Sequence, residues 1–232
     1  MFRKVLFAAA VTLSLTSAFN ASAQRNDWAN FARFEQENKE LLSKPQTGRL
    51  VVFLGNSITE GWAGQRPEFF ETNGFAGRGI SGQTTYQFLS RFRDDVINLH
   101  PKLLVLNAAT NDIAENTHPY SEDRTFGNIV SMVELAKANG IKVILTSTLP
   151  AAGFGWNPSI KDAPEKINSL NARIKAYAAK NKIPYVDYHS SLLGADGRSL
   201  DSKYSNDGVH PTAAGYEVME ALILPAVRKI VK

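Results

Sequence analysis

The sequence contains no cysteine. That excludes a disulfide scaffold, a thiolate metal site and a cysteine nucleophile. It also excludes a lipid-anchored cysteine at a processed N-terminus. Histidine is scarce: His100, His118, His189 and His210 complete the set. No apolar run reaches the roughly 20 residues that a membrane-spanning helix needs. Lys and Arg are scattered among acids, so no basic stripe points to nucleic acid. Of the 232 residues, 44% are hydrophobic and 21% charged. Those fractions are near the soluble average and exclude wholesale disorder.

What is present begins with a leader. Arg3 and Lys4 precede an apolar run from Val5 to Leu15, and Ala21-Ser22-Ala23 supplies a small-residue cleavage site. This pattern predicts a secretory signal peptide over 1–23, in preference to an N-terminal core helix. The mature chain would be 24–232, and loss of Arg3 and Lys4 takes the net charge from +4 to +2. An exported protein is expected, periplasmic or secreted, with no membrane span.

Asp27 to Ser43 reads as a helix capped by Asp27, with Trp28, Phe31, Phe34 and Leu41–Leu42 as its apolar face. Pro45 to Gly48 breaks it. Arg49 to Leu54 is dense in β-branched and apolar residues and predicts a strand buried on both faces. Leu103 to Leu106 and Val143 to Leu145 are of the same kind; Phe75 to Ile80 and Tyr185 to Asp187 carry a weaker signal. Helical patterns alternate with these strands: Thr85–Leu99, Ile129–Asn139, Ala163–Asn181 and Thr212–Val231. The alternation predicts one α/β domain, a roughly five-stranded parallel sheet covered on both sides. Ligands of such sheets bind beyond the carboxyl ends of the strands. Chemistry is therefore expected just after Leu54, Ile80, Leu106 and Leu145, and before the last helix.

Four segments lie at those places. Gly55-Asn56-Ser57 follows the first strand, where a helix N-terminus favours developing negative charge. Taken alone, Ser57 suits a helix N-cap as well as a nucleophile. It does not fit the G-x-S-x-G elbow, because position 59 is Thr. Gly77-Arg78-Gly79-Ile80-Ser81-Gly82 formally matches G-x-G-x-x-G but follows the second strand, and no acid stands 20 residues on. Its glycines suit a loop whose backbone approaches a ligand. Thr110-Asn111-Asp112 follows the third strand and offers either a side-chain amide donor for an oxyanion or a loop cap. Asp207-Gly208-Val209-His210-Pro211 precedes the last helix. Asp207 and His210 can form an Asp–His pair, although Asn206-Asp207-Gly208 also reads as a turn. No set of three His, Asp or Glu residues has metal-site spacing, and Asp196 to Asp201 does not match a calcium loop.

With Ser81-Gly82-Gln83-Thr84 as the second block, these segments together resemble the SGNH hydrolases, the GDSL esterase/lipase family, in order and in spacing from Arg49 onward. The resemblance implies a flavodoxin-like three-layer α/β/α fold and cofactor-free ester hydrolysis. It implies Ser57 as nucleophile, His210 as general base and then acid, and Asp207 as the group orienting His210. The N–H groups of Ser57 and Gly82 and the Asn111 amide would form the oxyanion hole. Two positions depart from the family pattern: Asn56 stands where Asp is commonest, and Ala109 where Gly is usual. If position 109 needs a positive φ, Ala strains that loop. Gly55 to Trp62 and Arg78 to Thr85 look most like the acetylhydrolase-like and carbohydrate-esterase-like branch. The substrate expected from that likeness is an O-acetylated carbohydrate. The alternatives are a lysophospholipid, an aryl ester or a thioester, and, in a different class, an inactive glycan-binding module. Trp62 and Trp156 are candidates for lining a sugar site, with packing as the competing role for each.

Overall fold

The structure is a computed structural model, and it describes residues 27–45 and 50–231. The expected leader, and Arg49 of the expected first strand, lie outside the described residues.

Five strands form one parallel sheet: β1 (Val51–Gly55), β2 (Phe75–Gly79), β3 (Leu103–Leu106), β4 (Lys142–Thr146) and β5 (Tyr185–Val186). Their order is β2-β1-β3-β4-β5. Every residue of β1 and β3 is buried, as their unbroken apolar sequences require. Alternate side chains serve opposite faces. Val52, Leu54, Leu104 and Leu106 join one apolar cluster, and Val51, Phe53, Leu103 and Val105 join the other.

Helices cover both faces: α1 (Glu35–Ser43), α2 (Ser57–Gln65), α3 (Pro67–Asn73), α4 (Thr85–Asp95), α5 (Thr110–Ile113), α6 (Glu122–Ala138), α7 (Ala163–Lys180), α8 (Tyr188–Leu192) and α9 (Ala213–Ile230). Phe88, Ile129, Met132 and Ile167, from α4, α6 and α7, fill the first cluster. Trp62, Phe69, Phe70, Tyr216 and Met219, from α2, α3 and α9, fill the second. No described helix is long and apolar enough to cross a membrane.

Three helical expectations need correction. The continuous helix over 27–43 is instead a turn, a 3₁₀ segment over Phe31–Phe34 and then α1, because Asn30 is left-handed at φ 54°. Asp27 does cap it, accepting from the Phe31 N–H at 2.8 Å. Phe34 is buried, yet Trp28, Phe31 and Leu42 are exposed. The helix over 85–99 stops at Asp95, and Ile97–Leu99 turns as 3₁₀. The helix placed at Ile129 begins at Glu122, where the Ser121 hydroxyl accepts from the Arg124 N–H at 3.4 Å.

The sheet order fixes the site. From β1 the chain runs outward to β2, then returns past β1 to β3. The connections leaving β1 and β3 thus diverge, opening the crevice characteristic of such a switch point. Gly79, at the end of β2, passes so close to α2 that a Cβ there would stand 2.2 Å from the Glu60 nitrogen. Only glycine lets the two segments meet.

Candidate active site

Ser57 is the first residue of α2, and the N-cap is its neighbour Asn56. The Asn56 Oδ1 accepts from the Ile58 N–H at 3.0 Å, so Asn supplies the cap that Asp would. Its Nδ2 is buried with no protein partner. Because Asn56 does the capping, the Ser57 hydroxyl is free for another role. At the first helical position its N–H has no acceptor within the helix.

Ser57 Oγ lies 2.8 Å from His210 Nε2, and His210 Nδ1 lies 2.6 Å from Asp207 Oδ2. The other carboxylate oxygen of Asp207 accepts the backbone N–H groups of Val209 at 2.9 Å and His210 at 2.8 Å. Ser205 Oγ stands 3.1 Å from that same oxygen and 2.8 Å from the His210 carbonyl. It also accepts from the Gly208 N–H at 3.0 Å. The turn expected at 206–208 and the Asp–His pair are therefore one structure. Burial pushes the Asp207 carboxyl up, but the hydrogen bonds from the His210 N–H, the His210 ring and the Val209 N–H outweigh it and hold it at about 2. A carboxylate there presents its charge to Nδ1 and favours the tautomer that leaves Nε2 as acceptor.

The second and third blocks close on the same crevice. Gly82 is left-handed at φ 77°, which glycine adopts at no steric cost. The preceding Ser81 is held by Glu60, whose Oε2 accepts both the Ser81 N–H and its hydroxyl. The Asn111 Nδ2 donates to the Gln83 carbonyl at 2.9 Å. A primary amide has two N–H donors, so this bond fixes Asn111 and leaves one hydrogen uncommitted by it. Ala109 caps α5 at φ 84°, ψ −15°. The position does take the left-handed conformation that the usual glycine would accept freely. Asp112 is buried beneath, accepting from the Thr85 N–H at 3.0 Å and from the hydroxyls of Thr85 and Thr125. Burial raises its carboxyl above the usual range.

The two tryptophans part company. Trp62 is 2% exposed, stacked between Phe69 and Tyr216, and its Nε1 donates to Glu220 at 3.1 Å. It is a core residue and lines no cleft, which corrects the expectation of a sugar contact. Trp156 is 47% exposed, with its ring centroid 6.0 Å from that of His210. The remaining histidines sit elsewhere. His100 ends a 3₁₀ turn, His118 rests on Tyr86, and the His189 N–H donates to Ser147. Among the described residues no three His, Asp or Glu side chains cluster as metal ligands would.

Residues 53–218 match the model of the GDSL-like lipase/acylhydrolase family. The chain belongs to that family. A multidomain esterase of Ruminococcus flavefaciens is 32% identical over 127 residues, which are 54% of this chain and 15% of that protein. This acylhydrolase-family chain thus spans a small part of that relative's length. A solved structure of a candidate acylhydrolase from Bacteroides fragilis NCTC 9343 is 66% identical, with a TM-score of 0.87, covering 89% of this chain and all of that one. Axe2, an acetylxylan esterase from Geobacillus stearothermophilus, shares the fold at 19% identity and a TM-score of 0.61, covering 78% of this chain and 94% of that one.

Sequence reasoning missed Glu60, Ser205 and Asn116, which hold the site's loops rather than form its blocks. A polar residue in a loop or on a helix carries no periodic signal; Glu60 lies within the Gly55–Trp62 segment, but its hold on Ser81 depends on the fold, and Ser205 and Asn116 belong to none of the four blocks.

Proposed function

We propose that this member of the family is a serine esterase, and that it removes O-acetyl groups from a carbohydrate outside the cytoplasm. The observation that carries the reading is the continuous relay from Ser57 Oγ through the His210 ring to Asp207, at 2.8 and 2.6 Å. His210 Nε2 takes the Ser57 proton as Oγ attacks the ester carbonyl. The oxyanion that forms is met by the N–H groups of Ser57 and Gly82 and by the Asn111 amide. His210 then returns the proton to the departing alcohol, and water repeats the sequence on the acyl-enzyme. Asp207 keeps Nδ1 protonated and supports the imidazolium. Acetyl as the acyl group is supported by the likeness of the Ser57 and Gly82 blocks to the acetylhydrolase-like branch. A sugar as the alcohol is supported by the expected export and by exposed Trp156 beside His210.

The test is hydrolysis of p-nitrophenyl esters from acetate to decanoate by residues 24–232, beside Ser57→Ala. A steep preference for acetate, lost in the variant, is expected. A preference for decanoate would instead indicate a lysophospholipase-like enzyme. Equal inactivity of both proteins, with no labelling of Ser57 by a fluorophosphonate, would overturn the esterase reading in favour of a glycan-binding module.

A further inference from the structure

Asn116 lies outside all four sequence blocks, yet its side chain joins two parts of the site. Its Nδ2 donates to the Gly82 carbonyl at 3.1 Å, and its Oδ1 accepts from the Trp156 Nε1 at 2.9 Å. The orientation of the amide is forced. An indole N–H can only donate and a peptide carbonyl can only accept, so no other placement of Oδ1 and Nδ2 satisfies both. Asn116 is itself anchored, its N–H donating to the Asn111 carbonyl at 3.1 Å. Two amide side chains, Asn116 and Asn111, therefore hold the successive carbonyls of Gly82 and Gln83. Glycine at φ 77° has soft dihedrals on both sides, and its N–H lies in the Ser81–Gly82 peptide, which is bracketed by Ser81, held by Glu60, and by the Gly82 carbonyl, held by Asn116.

The position of Trp156 bears on which half of an ester it meets. His210 Nε2 must deliver its proton to the leaving oxygen, so a ring 6.0 Å from the imidazole is within reach of the alcohol half. Resting on the esterase reading above, we propose that Asn116 is a positioning residue that locks the Gly82 oxyanion donor and the Trp156 alcohol platform into one unit. Contact of the leaving group with Trp156 is thereby tied to the geometry of the oxyanion hole.

Steady-state kinetics on phenyl acetate, whose alcohol half can stack, and ethyl acetate, whose alcohol half cannot, separate the roles. Trp156→Ala should raise KM several-fold for phenyl acetate and leave it nearly unchanged for ethyl acetate. Asn116→Ala should lower kcat on both esters by about tenfold, less than the 10²–10³ typical of deleting an oxyanion donor outright. Asn116→Asp keeps the shape and the Trp156 acceptor but turns a carboxylate oxygen toward the Gly82 carbonyl. It should lower kcat at least as far as the alanine variant, with an unchanged melting temperature. Trp156→Phe keeps the ring but not the N–H, and its effect on kcat should fall away in the Asn116→Ala background. An active wild type beside Asn116 variants of undiminished kcat would overturn the positioning role alone. Additive effects of Trp156→Phe and Asn116→Ala would overturn the coupling. A wild type that neither hydrolyses the esters nor reacts with a fluorophosphonate would overturn the esterase reading itself.

Discussion

The two oxygens of Asp207 are not equivalent. Oδ1 must accept two backbone N–H groups, leaving Oδ2 for His210 Nδ1. In Asp207→Asn the amide oxygen would stay with the two N–H groups, turning its NH₂ toward Nδ1. His210 would then carry its proton on Nε2 and could not accept from Ser57. A fall in kcat of about 10⁴ follows, with the fold kept; a fall below tenfold would mean that the carboxylate does not set the tautomer. The same contacts have a stability consequence. With the folded carboxyl at about 2 and an unfolded one near 3.9, the ionised form is favoured by folding. The contribution is complete above about pH 4 and is lost as pH falls toward 2. The urea midpoint of wild type should therefore approach that of Asp207→Asn between pH 5 and pH 3. Parallel midpoints would show that the hydrogen bonds do not lower the carboxyl. Ser57, Asp207 and His210 were legible in the sequence because each sits in a block of characteristic residues. Ser205 and Asn116 were not, because what they do depends on which loops the fold brings together.

The short elements carry the site, and they are where the sequence was hardest to read. The buried strands and the long helices α7 and α9 announce themselves by unbroken apolar runs and by helical spacing. A helix of four residues such as α5 is too short to show a period, and its start depends on one dihedral. Ala109 occupies that start at φ 84° with its methyl group fully buried. An alanine in the left-handed region is strained by about 1–2 kcal/mol, and a β-branched side chain is excluded far more strongly. Ala109→Val should therefore cost about 3 kcal/mol or more, strain and overpacking acting together. Because Asn111 lies two residues on, turnover of the folded variant should fall as well. Urea unfolding and p-nitrophenyl acetate turnover check the two effects. A valine variant as stable as wild type would mean that α5 can start from another backbone conformation.

Across the whole molecule, one buried polar network joins the N-terminal segment to the ends of the sheet and to the candidate oxyanion loop. Arg91 is fully buried at its centre. It donates to the carbonyls of Gly55 at 3.1 Å and Arg78 at 3.0 Å, to Gln83 Oε1 at 2.7 Å and to Asp95 at 2.8 Å. Gln83 in turn donates to the Ala29 carbonyl at 2.7 Å and accepts from Asn111 through its own carbonyl. Asn38 of α1 completes the circuit, donating to Asp95 at 3.0 Å and accepting from Arg78 at 2.9 Å. This explains how a segment with Trp28 and Phe31 exposed stays docked: it is held by hydrogen bonds and by Phe34, over which the Arg78 guanidinium lies at 4.8 Å. No apolar pattern encodes such docking, so the sequence shows a helix but not what secures it. Arg91→Met preserves much of the volume and removes every donor. It strands Asp95 with a single amide partner and takes a charged donor from the carbonyls of Gly55 and Arg78, the Gly55 carbonyl keeping the Ile80 N–H at 3.2 Å. Removing one partner of a buried ion pair typically costs about 3–5 kcal/mol, and urea unfolding should show a loss of that size. The strand ends it releases carry Ser57 and Gly82, so below the lowered melting temperature kcat should fall while KM moves little. A destabilised variant with wild-type kcat would confine the network to stability and free the candidate catalytic loops from it.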